Sequence, residues 1–522
     1  MMMTSSSVRF RNRSDTAAGL LIAGFVLFLL FFGARFHTIE IPDSAENDGY
    51  VVQADEIRAG SIPRDPYHPL LYQALSAGAG ALLDDSFAGA RTVSSLMAGL
   101  FLLMTYLAGR AYFGSGVALF SVAALALNYN VITTGMDAAT DMCFSALATA
   151  VLFFSLRAIE KPGPASAALL AFVFSLAYFT RYSAVFLVPA IAVALLAPSG
   201  GGGARGRVVR LAVFAAASAV FLAPHFVLTD KAFGSPWYSE NWKNLAFKLH
   251  GSGDWSYFRR IPYDGIVSVV ASAPLKLVVS SLRELVKFFY TTLEDVGGGG
   301  VAGGIFAASA LCGTFIACFA IDRKKLVMLS FLFFYVLLSC IAFLAGSRFM
   351  IPILPLCCLL GGDFLLAGPF AGSFRAGAWQ IHRAAPVVAA LLVALLLTTI
   401  THVRLYVRAQ PLSELDAARA IEREYGPDVT VLGTFPFMQR YVQYTYFKLE
   451  DADGGDARDG RRYLGRVRSI VEEKDADFVI VGEASLKGRP EELLDAGEAA
   501  PFLEILVRGD RVVVYRVVKG VR

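Results

Sequence analysis

About eleven predominantly apolar runs, each near the roughly 20 residues that cross a bilayer as a helix, constrain this chain most. They extend from Ala17 to Gly33, Thr92 to Gly109, Gly116 to Ile132, Met142 to Leu156, Ala165 to Phe179, Ala184 to Leu196, Leu211 to Leu228, Val301 to Ile321, Leu326 to Ala345, Met350 to Leu366 and Ala384 to Ile400. Several are short, and only Thr180-Arg181-Tyr182-Ser183 separates the fifth from the sixth. Of the 522 residues, 17% are charged. A soluble globular protein has about 25%, so lipid is part of the solvent here. Basic residues precede the first run, as in a signal peptide. No small-x-small cleavage site closes it and further runs follow, so it is expected to remain as a span.

The basic residues fall on alternate connections. One set holds Arg9, Arg11, Arg13, Arg110, Arg157, Lys161, Arg205, Arg207, Arg210, Arg323, Lys324, Lys325, Arg375 and Arg383. The short loops of the other set hold only Arg181 and Arg348 as basic residues, together with Asp137. The positive-inside rule makes the first set cytoplasmic. The expectation is a multi-pass plasma (inner) membrane protein with its amino terminus in the cytoplasm and its carboxyl-terminal domain extracytoplasmic, that is periplasmic. The net charge of +4 is no nucleic-acid signature. The six cysteines lie in or beside apolar runs without zinc-type spacing, and read as packing residues.

Three stretches lie outside the spans. Residues 36–91 and 229–300 are outer loops of a transmembrane domain over residues 1–401, and residues 402–522 form a soluble extracytoplasmic domain. Within the second loop, Ile266 to Leu293 is apolar but broken by Pro274, Lys276, Arg283, Glu284 and Lys287, which suits helices lying in the interface. The soluble part has a helix-like segment, Leu412 to Tyr425, and strand-like runs at Val429–Leu432, Phe478–Val481, Leu503–Val507 and Val512–Val518. Asp451 to Arg462 reads as a flexible loop. The fold class is therefore an α-helical polytopic membrane protein with a small α/β or α+β domain at its carboxyl end.

Carboxylates gather at the outer ends of the spans. Asp43, Glu46, Asp48, Asp55 and Glu56 follow the first span, and Asp137 and Asp141 precede the fourth. Four residues apart, Asp137 and Asp141 would share one face of a helix. Each acid alone could be a solvated rim. Arg181 and Arg348 offer planar forks suited to phosphate oxygens, or snorkel to headgroups. His68 caps or orients the helix that Pro69 opens, and Trp237, Trp242 and Trp255 stack on sugar or anchor the interface.

The stretch from Glu46 through Tyr50, Ala54, Gly60 and His68-Pro69 resembles the first outer loop of polyprenyl-phosphate-dependent GT-C glycosyltransferases, such as protein O-mannosyltransferases and the lipid A aminoarabinose transferase. Thr140-Asp141 with Phe144, Thr180-Arg181, Phe233-Gly234-Ser235-Pro236 with Asn241 or Asn244, and Arg348-Phe349 with Pro352 and Pro355 follow in the family's order. The resemblance covers about 400 residues and implies an outward-facing active site. There a sugar on a polyprenyl phosphate donor passes, with inversion, to an acceptor that is lipid, glycan or protein. Such chemistry needs a carboxylate base for the acceptor hydroxyl and cations on the departing phosphate.

The family's acid maps onto Glu46 by counting and onto Asp48 by the Asp-Gly-Tyr pattern, with Asp48 favoured. Asp141 would be a second acid that orients the acceptor or supports a metal. Arg348 and then Arg181 are the phosphate candidates. Tyr50, Asp137, Tyr67, His68 and Trp237 are the substrate-binding candidates. No cofactor is called for, and a divalent metal is left open but not favoured. Donor, acceptor and membrane lipid are the expected partners, with no nucleic acid. The competing reading is a transporter or flippase of a lipid-linked substrate. It lacks paired broken helices, and its only clear acid within a span is Asp363.

Overall fold

A computed structural model describes residues 5–39, 48–197, 203–251, 261–319, 322–343, 346–367, 373–376, 379–408, 412–433, 438–448, 460–482, 500, 502–509 and 512–519. Every apolar run falls on helix, as lipid demands of a backbone that must satisfy its own polar groups. The order in the first unit begins α1 (Ser5–Phe36), α2 (Tyr50–Arg58), α3 (Leu71–Leu83), α4 (Ser86–Tyr112), α5 (Ser115–Ala126), α6 (Tyr129–Thr134), α7 (Thr140–Glu160) and α8 (Pro164–Tyr178). A 3₁₀ turn, Tyr182–Leu187, runs into α9 (Val188–Leu196). Then come α10 (Ala204–Phe233), α11 (Trp242–His250), α12 (Ile266–Ser272), α13 (Pro274–Lys287), α14 (Leu293–Val296), α15 (Gly300–Phe319), α16 (Arg323–Ala342), α17 (Ser347–Met350) and α18 (Leu354–Ala367). A hairpin of β1 (Ser373–Ala376) and β2 (Trp379–His382) precedes α19 (Ala385–Arg408).

Among the described residues, eight helices are long and apolar enough to cross a membrane. The third, fifth and sixth expected runs fall on shorter helices. The third is interrupted by Asn128, whose side-chain oxygen accepts from the Asn130 and Val131 amides and so starts α6 afresh. The stretch after Ile266 forms two helices that meet at 93°, with Pro274 opening the second. On α13 the apolar residues Leu275, Val278, Val279, Leu282 and Val286 are exposed while Glu284 is buried.

Glycine lets some helices touch backbone to backbone. A Cβ on Gly89 of α4 would meet the Gly80 amide of α3 at 2.4 Å, and one on Gly313 of α15 would meet the Leu360 carbonyl of α18 at 2.1 Å. At the end of the bundle carrying the more basic connections, Asp15 pairs with Arg110 at 2.9 Å and accepts from Tyr106. Glu160 there joins Arg157 of its own helix to Lys324 of α16. These contacts join the ends of α1 and α4, and those of α7 and α16.

The second unit comprises Leu405–Arg522 and the described residues of 37–48. It contains α20 (Leu412–Tyr425), β3 (Thr430–Gly433), β4 (Thr445–Lys448), α21 (Gly460–Lys474), β5 (Phe478–Gly482), β6 (Leu503–Arg508) and β7 (Val512–Val517). The sheet order is β4-β3-β5-β7-β6, with β4, β3 and β5 parallel and β5, β7 and β6 antiparallel. Apolar clusters cover both faces: Ile421, Val431 and Ile480 on one, Val471, Val479 and Val513 on the other. All four strand-like runs are strands; β4 lacked a sequence signal. Most of the expected loop lies outside the described residues, and α21 already begins at Gly460.

Candidate active site

The fourth span begins where the chain leaves an extended Ala139, so Asp141 sits in the first turn of α7. The helix dipole favours an anion there. Asp141 is 2% exposed. Its Oδ1 accepts from an Arg181 terminal nitrogen and lies 3.6 Å from Arg348 Nε, while its Oδ2 has no hydrogen-bond partner among the described residues. Arg181 is held by the extended residue between α8 and the 3₁₀ turn, and Arg348 by α17. Both guanidinium groups lie over the Phe349 ring, at 5.3 and 5.1 Å from its centroid. Such contacts orient a guanidinium without neutralising it.

These groups line a cleft enclosing about 290 Å³ of space, part of it open to solvent. Tyr335 and Ser339 of α16, Phe343 just past its end, and Phe144, Ser145 and Pro352 complete most of its wall. The Tyr335 hydroxyl donates to the Phe349 carbonyl at 3.0 Å, and Phe343 stacks on Phe349 at 5.6 Å. The charged lining is two arginines and one aspartate, a net excess of one positive charge. An anion fits that balance better than a cation.

A polar layer adjoins the cleft. Thr140 donates to the Tyr50 hydroxyl at 3.1 Å, and the Tyr50 ring meets His68 edge-on at 4.9 Å. The Asp65 carboxylate accepts from Gln53 Nε2 and from the Tyr67 and His68 amides, and pairs with His68 Nδ1 at 2.9 Å. Burial alone would raise the Asp65 pKa, but the His68 contact and these bonds outweigh it and hold it below the usual value. Burial and Glu240 push the Tyr67 phenol up, so it stays a hydrogen-bond donor. Lys243 pairs with Glu240 at 2.6 Å, and Asn241 donates to the Tyr67 carbonyl, which ties the second outer loop to the first.

The structure brings together Asp141, Arg181 and Arg348, with Tyr50, Tyr67 and His68 in the adjoining layer. It corrects two expectations. Asp137 does not share a helix face with Asp141: it lies in the bend before α7, buried, with its carbonyl accepting from Ser94. His68 does not cap α3; Asp65 caps this turn and holds His68. Trp237 is 74% exposed with its ring on Phe226. Asp48 immediately precedes Gly49, whose φ of +82° starts α2. Glu46 and Asp43 lie outside the described residues. Among the described residues no three His, Cys, Asp or Glu side chains are grouped to hold a metal.

A family model described as dolichyl-phosphate-mannose-protein mannosyltransferase matches residues 67–227, the stretch carrying Tyr67, His68, Asp141 and Arg181. ArnT from Cupriavidus metallidurans bound to undecaprenyl phosphate superposes with a TM-score of 0.58 at 15% identity, over 97% of this chain and 99% of that one. The chain has the fold of the GT-C glycosyltransferases. ArnT from the same organism in the apo state gives 0.55 at 16% identity over 96% and 98% of the two chains. The Archaeoglobus fulgidus oligosaccharyltransferase, in complex with Zn and sulfate, gives 0.50 at 12% over 88% and 68%. No curated protein matches by sequence.

Sequence reasoning missed Asp65, Gln53, Glu240 and Tyr335 as parts of the site. Asp65 carried a usable signal, because an Asp two and three residues ahead of free amides is a capping residue. Tyr335 carried none, since its spacing within an apolar run matches that of any core aromatic.

Proposed function

We propose that this glycosyltransferase moves a sugar from a polyprenyl-phosphate donor to the hydroxyl of an extracytoplasmic lipid, glycan or protein acceptor, with inversion at the anomeric carbon. The carrying observation is the convergence of Arg181 and Arg348 on one buried carboxylate oxygen beside an open cleft. The undecaprenyl phosphate bound to ArnT supports a lipid monophosphate as the ligand.

In the transfer, the acceptor oxygen attacks the sugar's first carbon while the bond from that carbon to the phosphate oxygen breaks. The acceptor proton passes to a carboxylate, and the two guanidinium groups take up the charge growing on the departing phosphate. Asp141, whose Oδ1 faces both arginines, serves as the orienter of that cradle. The proposed base is Asp48, two residues before Tyr50, with Glu46 as its rival. The bias of basic residues supports a cytoplasmic amino terminus and a cleft opening on the opposite side.

Purified protein incubated with labelled polyprenyl-phosphate sugars tests the reading. Loss of sugar from one donor, abolished by Arg348→Ala, is expected. Transfer that persists undiminished in both Arg348→Ala and Arg181→Ala would overturn it. Full activity in both Asp48→Asn and Glu46→Gln would remove the proposed base alone.

A further inference from the structure

Lys248 stands outside the cleft, on the buried side of an outer-loop helix. The apolar residues Leu245, Ala246, Phe247 and Leu249 of α11 are buried, which draws the lysine stem in with them. Its ammonium donates to the Cys340 carbonyl and, at 3.2 Å, to the Ile341 carbonyl. These belong to the last turn of α16, where the helix has no amides left to satisfy them and its dipole is negative. Burial lowers the Lys248 pKa, and the buried Glu284 carboxylate of α13 works against that shift.

The end that Lys248 caps is part of the cleft. Ser339 and Phe343, on either side of those carbonyls, line it, and Phe343 stacks on the Phe349 ring that carries both guanidinium groups. We propose that Lys248 is a positioning residue for the phosphate cradle: by pinning the end of α16 it fixes the Phe343–Phe349 pair and hence the separation of Arg181 and Arg348. The proposal rests on the reading of that cleft as the donor-phosphate site. It makes α11 and the second outer loop a part of donor recognition without any contact to the donor.

The full chain in nanodiscs, titrated with labelled undecaprenyl phosphate, tests this. Lys248→Met is expected to weaken binding about tenfold, the scale of one buried charge-assisted hydrogen bond, while Lys248→Arg stays within about threefold. In a Phe349→Leu background the Lys248→Met effect should largely vanish, because both changes loosen the same ring pair. Should Lys248→Met not survive purification, Lys248→Gln is read by the same criteria. A variant that melts earlier yet binds the lipid like the parent, while Arg348→Ala loses it, would make Lys248 a plain helix cap and overturn the proposal. So would full additivity with Phe349→Leu. If Arg348→Ala and Arg181→Ala themselves bind like the parent, the cradle fails and Lys248 with it, an outcome recognisable by the intact arginine variants.

Discussion

Helices α7 and α10 are both apolar enough to span a bilayer. Yet 83% of the apolar stretch is buried in α7 and only 17% in α10. In α7, Thr140, Asp141, Ser145 and Thr149 are all buried and, apart from Asp141, donate to nearby groups. Such groups are tolerated against protein and costly against lipid. Helix α10 instead turns Val208, Val220 and Val227 outward. Burial within the bundle, and not hydropathy, marks the helix that carries the aspartate of the cleft.

The sharpest way to break this contrast is Asp141→Ala. It leaves Arg181 buried without its carboxylate, so a loss of about 3–5 kcal/mol of stability and of all transfer is expected, read by thermal unfolding and by the donor assay. A mild effect would mean that α7 is less central than its burial indicates. Arg348→Ala should lower kcat/KM for the donor by about 10²–10³-fold with little change in melting, because Arg348 is a third exposed. Gly89→Ala should cost about 1–3 kcal/mol, since the new methyl meets backbone that cannot step aside. On the opposite side of the comparison, Val220→Ala in α10 should change stability by less than about 0.5 kcal/mol.

A last test is by pH. The Asp65 pKa is depressed in the folded state, so its stabilisation is present above the unfolded value near 3.8 and is lost as pH falls through the lower folded value. In Asp65→Asn that part of the acid-induced loss should be missing, measured as the difference in melting temperature between neutral and acidic buffer.

That the apolar runs would form helices was legible, because it depends on local composition. Arg181 and Arg348 could be singled out, since a lone cation in an outer loop contrasts with its surroundings. Which of the apolar helices would be central could not be read, because a serine or threonine that bonds its own helix leaves hydropathy almost unchanged. The Asp137–Asp141 spacing misled for a related reason. A four-residue interval implies a shared face only inside a helix, and the extended Ala139 ends the preceding turn. Phe349 was visible as a neighbour of Arg348, but not its place under two guanidinium groups, which depends on residues far apart in sequence.

Two arginines sharing one aspartate oxygen have a consequence for turnover. A cleft built to hold a lipid-borne phosphate holds it just as well after the sugar has gone. On the proposed reading the spent carrier competes with fresh donor, and the pace of a full cycle is set by how quickly the bilayer reclaims the empty lipid.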